Sequence, residues 1–236
     1  MGWCYTMKIR LISYSQIPRA AGGGIEKDLQ GLVAFCARVS NPNNQYNEKT
    51  SEKLIRYLIK NQHWSPLEMV SACLEIETTR DIARQLLRHR SFSFQEFSQR
   101  YADPVKELSF VLREARLQDT KNRQNSIDLD YSNLEHRETA RLWQEKQQEI
   151  VRNVLETYTW AINNGIAKEQ ARAVLPEGLT TSRLYMSGTL RSWIHYIQLR
   201  SENGTQKEHA EIAKACAEAI SSIFPMIKED ITNVDT

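Results

Sequence analysis

Hydrophobic and polar positions alternate with two periods along this chain, and the switches between them mark the elements. MKIRLISY (7–14) alternates as a first β-strand does. PRAAGGGI (18–25) predicts a flexible turn; with no Lys-Ser/Thr after it, Gly22, Gly23 and Gly24 read as plain loop rather than phosphate cradle. KDLQGLVAFCARVS (27–40) reads as a short helix and NPNNQYN (41–47) as a loop. Thr50 or Ser51 then caps SEKLIRYLIKNQ, where Leu54, Ile55, Leu58 and Ile59 form one stripe, and HWSPLE breaks the helix at Pro66.

From Val70 to Ile76 the pattern returns to a half-buried strand. Thr78-Thr79-Arg80-Asp81 is a capping box opening a helix through DIARQLLRHR, with Arg84 and Arg88 one turn apart on one face. SFSFQEFSQRY has no helical stripe, so that helix ends near Arg90 and delivers Arg88, His89 and Arg90 at a loop. Residues 103–130 read as polar and irregular. SNLEHRETARLWQEKQQEIVRNVLETYTWAINNG is the longest helix, stopped by Asn164-Gly165. EQARAVLP is a short helix closed by Pro176, TLRSWIHYIQLR is amphipathic, and TQKEHAEIAKACAEAISSIF is the final helix. No repeat or linker divides the chain. The pattern predicts one α+β domain over 1–236, a modest sheet packed by long helices.

Composition narrows the class. At 41% hydrophobic and 25% charged the chain can bury a core. A net charge of +2 leaves any basic site local. No apolar run has the length of a membrane span and no secretory pattern opens the chain, which predicts a cytoplasmic protein without a membrane partner. MGWCYT fits a loose myristoylation pattern, discounted because bulky Trp3 follows Gly2 and Met7 could itself begin the folded part. Cys4, Cys36, Cys73 and Cys216 are scattered, and the five histidines lack tight ligand spacing, so reduced thiols and no metal are expected. His136 and His209 read as surface or helix-face residues; His63 is balanced between loop packing and substrate contact.

Arginine carries the chemical signal. From Arg80 to Arg100 five arginines face only Asp81 and Glu96, and Arg172, Arg191 and Arg200 follow. A guanidinium is a permanent planar fork of donors suited to phosphate or a pyrimidine edge. Singly, Arg80, Arg84 and Arg191 read as solvated helix faces. Arg88 and Arg90 around His89 read as a site. A unit negative charge about 4 Å away is worth roughly 4 kcal/mol at a surface-like dielectric, before desolvation. Anions would thus offset the arginines' mutual repulsion.

Arg88-His89-Arg90, seven residues, then Ser98 reproduces the R-H-R-x7-S signature, and the chain resembles the flavin-dependent thymidylate synthases. CARVS (36–40), HWSPLE (63–68), RQLLRHR, RLQDTKNRQNS (116–126), ARAVLP, LRSWIHYIQLR and TQKEHAEI resemble that family's blocks in order, so the resemblance spans nearly the whole chain. It implies reductive methylation of dUMP to dTMP, with carbon from methylenetetrahydrofolate and FAD reduced by NADPH. It also implies a mixed α/β subunit in a homotetramer that shares flavin sites. By the same resemblance Ser65, Arg88, His89, Arg90, Glu96, Thr189, Arg191 and His195 contact FAD. Gln85, Arg88, Glu96, Phe97, Ser98, Gln99, Arg100, Arg172 and Arg200 match dUMP-binding positions. Arg200 is the principal catalytic candidate, pairing with the uracil edge and favouring ionisation at N3. Ser98 is the second, as an orienting hydroxyl rather than a nucleophile, since no base adjoins it in sequence. Cys36, Cys73 and Cys216 read as packing residues. Met69, Leu67, Gln95 and Thr189 depart from common family residues, and no histidine stands at a position some members use after Arg200.

Two rivals remain at this level. Arg88, Arg90 and Arg100 with Phe92, Phe94, Phe97 and Tyr101 could grip single-stranded nucleic acid by charge and stacking, although near-neutrality opposes it. An enzyme on the same scaffold could instead transfer a hydroxymethyl group to a pyrimidine nucleotide.

Overall fold

The computed structural model describes residues 7–17, 28–202 and 204–231, without the side chains of 229–231. Cys4, the MGWCYT segment and the tri-glycine stretch lie outside them. Alternation produces strands where expected, β1 (Lys8–Tyr14) and β2 (Ser71–Thr79). Ala72, Leu74 and Ile76 of β2 all point into the core. Two unexpected strands complete an antiparallel sheet of order β1-β2-β6-β3: β3 (Ser93–Glu96) within the presumed loop, and β6 (Thr181–Thr189). β6 pairs with β2 along its whole length, from Ser71 opposite Thr189 to Thr79 opposite Thr181. Its inward side is Ser182, Leu184 and Met186, too few apolar residues to announce a strand. The region 103–130 is more ordered than its polarity suggests: it holds a short helix, α4 (Pro104–Glu107), and a hairpin of β4 (Arg116–Gln118) and β5 (Ser126–Asp128).

The first helices are α1 (Leu29–Ala37), with Asp28 accepting from the Gly31 N–H, and α2 (Ser51–Lys60). Loop 41–47 contains one 3-10 turn, Pro42–Asn44. The chain leaves α2 at Gln62, whose φ of 59° is left-handed, four residues before Pro66. Pro66 instead sits in a 3-10 turn, Ser65–Glu68. α3 (Arg80–Leu86) follows β2 without a loop. The expected capping box does not form, because the Thr79 hydroxyl donates to Asp81 Oδ1 instead of accepting from the helix. α3 also stops a turn early, so Arg84 and Arg88 do not share a helical face.

α5 (Leu134–Asn163) is the long helix; Gly165, at φ 78°, reverses the chain after it as expected. α6 (Lys168–Ala171) passes into a 3-10 turn, Arg172–Val174, and ends before Pro176. α7 (Leu190–Ser201) continues directly from β6; α8 (Lys207–Ser221) and a further helix, α9 (Met226–Ile231), close the chain.

The main core lies between the sheet and α7 and α8. α8 contributes His209, Ile212, Ala213, Cys216, Ala217 and Ile220, the i, i+3, i+4, i+7 stripe of a helix packed on one side. His209 is thus fully buried, not a surface residue, since it heads that stripe. Trp193 of α7, fully buried, donates its indole N–H to the Ala72 carbonyl at 3.1 Å and fastens helix to sheet. A second cluster joins Val151, Tyr158 and Ala161 of α5 to Phe110, Ala171, Leu175 and Leu179. No described helix is long and apolar enough to cross a membrane.

Candidate active site

The signature turn is fixed from below by Phe92. Its ring is buried against Trp193, centroids 4.8 Å apart, and lies on the backbone of β6 at Gly188. A Cβ at position 188 would come within 2.5 Å of the ring, so only glycine leaves room. α7 then holds the turn at two points a helical span apart. Ser192 donates to the Ser91 carbonyl at 3.2 Å, and Arg200 Nε donates to His89 Nε2 at 3.0 Å. Because that nitrogen accepts, His89 is the neutral Nδ1–H tautomer. Burial and the Arg200 charge lower its pKa to about 4, consistent with this state. Arg200 spends only Nε on His89, so its two terminal nitrogens remain for a ligand.

Beside this pair lies a part-buried polar chain that sequence reasoning missed. His209 Nδ1 is 3.1 Å from Gln85 Oε1, Gln85 Nε2 donates to Gln206 at 2.8 Å, and Gln206 donates to Glu208 at 2.9 Å. Glu208 is in turn paired with Arg113 and Arg116. The His209 and His89 ring centroids are 6.2 Å apart. The helical stripe in HAEIAKACAEAI was the available signal, since it puts His209 on the face of Ile212 and Cys216.

The remaining expected residues have contacts of their own. Glu96 is paired with Arg84 and Arg80 and accepts from Ser182, so neither arginine merely solvates a helix face. Phe97 donates its backbone N–H to the Arg183 carbonyl, and buried Gln99 has an Nε2 with no partner. Ser98 is exposed. Arg100 reaches Glu169 at 3.4 Å, bringing the segment after β3 to the helix that precedes Arg172. At the start of α7, Thr189 caps Ser192, Arg191 pairs with Glu68 in the Ser65 turn, and His195 meets Trp64 edge-on at 4.3 Å. Burial and Arg191 lower the His195 pKa. His63 is exposed and packs edge-on against Tyr57, 5.9 Å between centroids.

Among the described residues no carboxylate pairs with Arg88, Arg90 or Arg172, and no hydrogen bond joins these or Ser98 to Arg200. Arg88 and Arg90 are exposed. Arg88 and Arg90, flanking His89 in sequence, and the open terminal nitrogens of Arg200 beside its neutral imidazole are donors of the kind that fits phosphate groups and an electron-rich ring. A cleft of about 620 Å³ lies nearby but is lined by Arg113, Tyr131, Arg137, Lys207 and Glu208 rather than by the signature. Phe92, being buried, cannot serve a nucleic-acid stacking platform.

Comparison with known proteins accords with this donor set. Residues 25–226 match the family described as thymidylate synthase complementing protein. The probable flavin-dependent thymidylate synthase of Paramecium bursaria Chlorella virus 1 is 48% identical over 196 residues, 83% of this chain and 87% of that protein. The flavin-dependent thymidylate synthase of Synechocystis sp. is 46% identical over 222 residues, 94% and 97% of the two chains. The crystal structure of the UMP/dUMP methylase PolB from Streptomyces cacaoi, bound with 5-Br dUMP, has a TM-score of 0.75 at 25% identity. That alignment covers 96% of this chain and 94% of that one. The chain belongs to the family of flavin-dependent thymidylate synthases, and is an enzyme of the methyl-transferring kind.

Proposed function

We propose that this protein converts dUMP to dTMP, with methylenetetrahydrofolate as carbon donor and NADPH as reductant of a bound FAD. The observation that carries the reading is the Arg200–His89 pair inside the signature turn, which leaves a charged fork open beside a neutral imidazole. Arg88 and Arg90 would hold FAD by its diphosphate, with Arg191, His195, Ser65 and Thr189 near its edge. Bound there, FAD supplies the hydride that completes the methyl group. Arg200 grips the uracil edge and stabilises negative charge at N3, which makes the ring more reactive. Arg100 and Arg172 bind the nucleotide phosphate, while Gln85, Glu96, Phe97 and Gln99 shape its seat and Ser98 orients it.

No cysteine serves as nucleophile in this reading. Burial raises the pKa of Cys36, Cys73 and Cys216, which keeps each as a thiol. The resemblance implies a homotetramer, and association of copies is consistent with α5, whose exposed Leu134, Leu142, Trp143, Ile150 and Trp160 offer apolar surface.

Protein purified under native conditions should be yellow, or become so with FAD, and bleach on dithionite. Supplied with dUMP, methylenetetrahydrofolate and NADPH, it should give a nucleotide of the mass of dTMP. A hydroxymethylated product would move the protein to the rival transferase reading. A colourless protein that ignores FAD would refute the flavin assignment.

A further inference from the structure

Glu208 sets the direction of every hydrogen bond in this part-buried chain. Burial alone would raise its pKa, but its own backbone N–H, Arg113, Arg116 and Gln206 outweigh that and hold it below the ordinary range. As an ionised carboxylate it only accepts. Gln206, 2.9 Å away, must therefore turn Nε2 to Glu208 and Oε1 to Gln85. Gln85 meets that oxygen at 2.8 Å, so it presents Nε2 there and turns its own Oε1 to His209. Two acceptors cannot form a hydrogen bond, so the proton across the 3.1 Å contact sits on His209 Nδ1. The other ring nitrogen, Nε2, is buried without a partner. Burial, Arg200 and His89 lower the pKa of the ring to about 3, so it stays neutral.

We infer that His209 is a positioning residue of the active site: its Nδ1–H holds Oε1 of the Gln85 amide, whose Nε2 is held by Gln206, so that the side chain is fixed at both ends. Gln85 then has one N–H and one carbonyl lone pair left to offer the nucleotide. The inference rests on the proposed role of Gln85 in binding dUMP. Without the His209 donor Gln85 keeps Nε2 on Gln206 but loses the bond at its Oε1, so the amide can swing about the one remaining contact.

Two substitutions separate this role from simple packing. His209→Leu fills the space without a donor, whereas His209→Asn offers an amide N–H near the place of Nδ1. In the full-length, FAD-loaded protein, calorimetry should find dUMP binding about tenfold weaker in His209→Leu and largely restored in His209→Asn. Solid-state ¹⁵N spectra of histidine-labelled wild type should show the signal lost in either variant as the neutral Nδ1–H tautomer. That spectrum needs no nucleotide, and the signal can be assigned with whichever of the two variants folds. An Nε2–H tautomer, or equal weakening in both variants, would overturn the positioning role. Failure of wild type to bind dUMP would instead refute the proposed function, and the ring-nitrogen signal would still decide whether His209 locks Gln85.

Discussion

Gly188→Ala tests how the signature turn is supported. The added Cβ would lie 2.5, 2.7 and 3.2 Å from Cδ1, Cε1 and Cγ of Phe92. Carbon atoms pack best at about 3.5–4.0 Å, so the overlap is close to 1 Å. The ring has little freedom to retreat, with Trp193 at 4.8 Å and Tyr196 at 6.1 Å between centroids. Overpacking of this kind costs about 1–3 kcal/mol. Reduced entropy of the unfolded chain returns roughly 0.4–1 kcal/mol, because alanine restricts it more than glycine does. For a subunit of this size the melting temperature should fall by roughly 2–4 °C per net kcal/mol, followed by circular dichroism. A double-mutant cycle makes the test strict. Phe92→Ala alone should cost about 3–5 kcal/mol, and in that background Gly188→Ala should cost almost nothing, the ring being gone. An equal penalty for Gly188→Ala in both backgrounds would refute the close-approach argument.

Acid should weaken the fold in a defined window. Unfolded histidines protonate near 6.5, whereas His89 and His209 wait until about 4 and about 3. Between pH 6.5 and 4 the unfolded chain therefore binds more protons, and stability falls on acidification by up to ~1.4 kcal/mol per pH unit for each ring. Urea midpoints that stay level from pH 7 to 5 would contradict the burial of these rings in neutral form. Arg200→Lys keeps the charge but loses the planar fork, and kcat/KM should drop roughly 10- to 150-fold, the worth of a charged hydrogen bond; undiminished turnover would remove Arg200 from the mechanism. A variant with all four cysteines changed to serine or alanine should keep substantial activity, and complete loss in a folded variant would speak for a thiolate.

The long-period elements were legible because one physical feature wrote them. The stripe of α8 and the alternation of β1 each express burial on one side, and Gly165 after α5 marks a left-handed stop. β6 and β3 were not legible. Their neighbours come from segments about a hundred residues away, and pairing rather than apolar content holds Arg183 or Gln95 in extended form. The signature arginines could be picked out because unpaired charge is conspicuous in a sequence. The stripe of α8 could have placed His209 in the core, but its link to Gln85, Gln206 and Glu208 could not be read, since what matters is which amide faces which, and that direction comes from the pairing of Glu208 with Arg113 and Arg116.

Both β2 and β6 run into their helices with no intervening loop, at Thr79 and at Thr189. These junctions work as a ruler. One residue added or removed there would swing everything downstream by roughly 100° about the helix axis. Gln85 and Arg200 would then face away from each other's neighbours even with every side chain intact. Drift of length at these two junctions is thus no more tolerable than a side chain at Gly188.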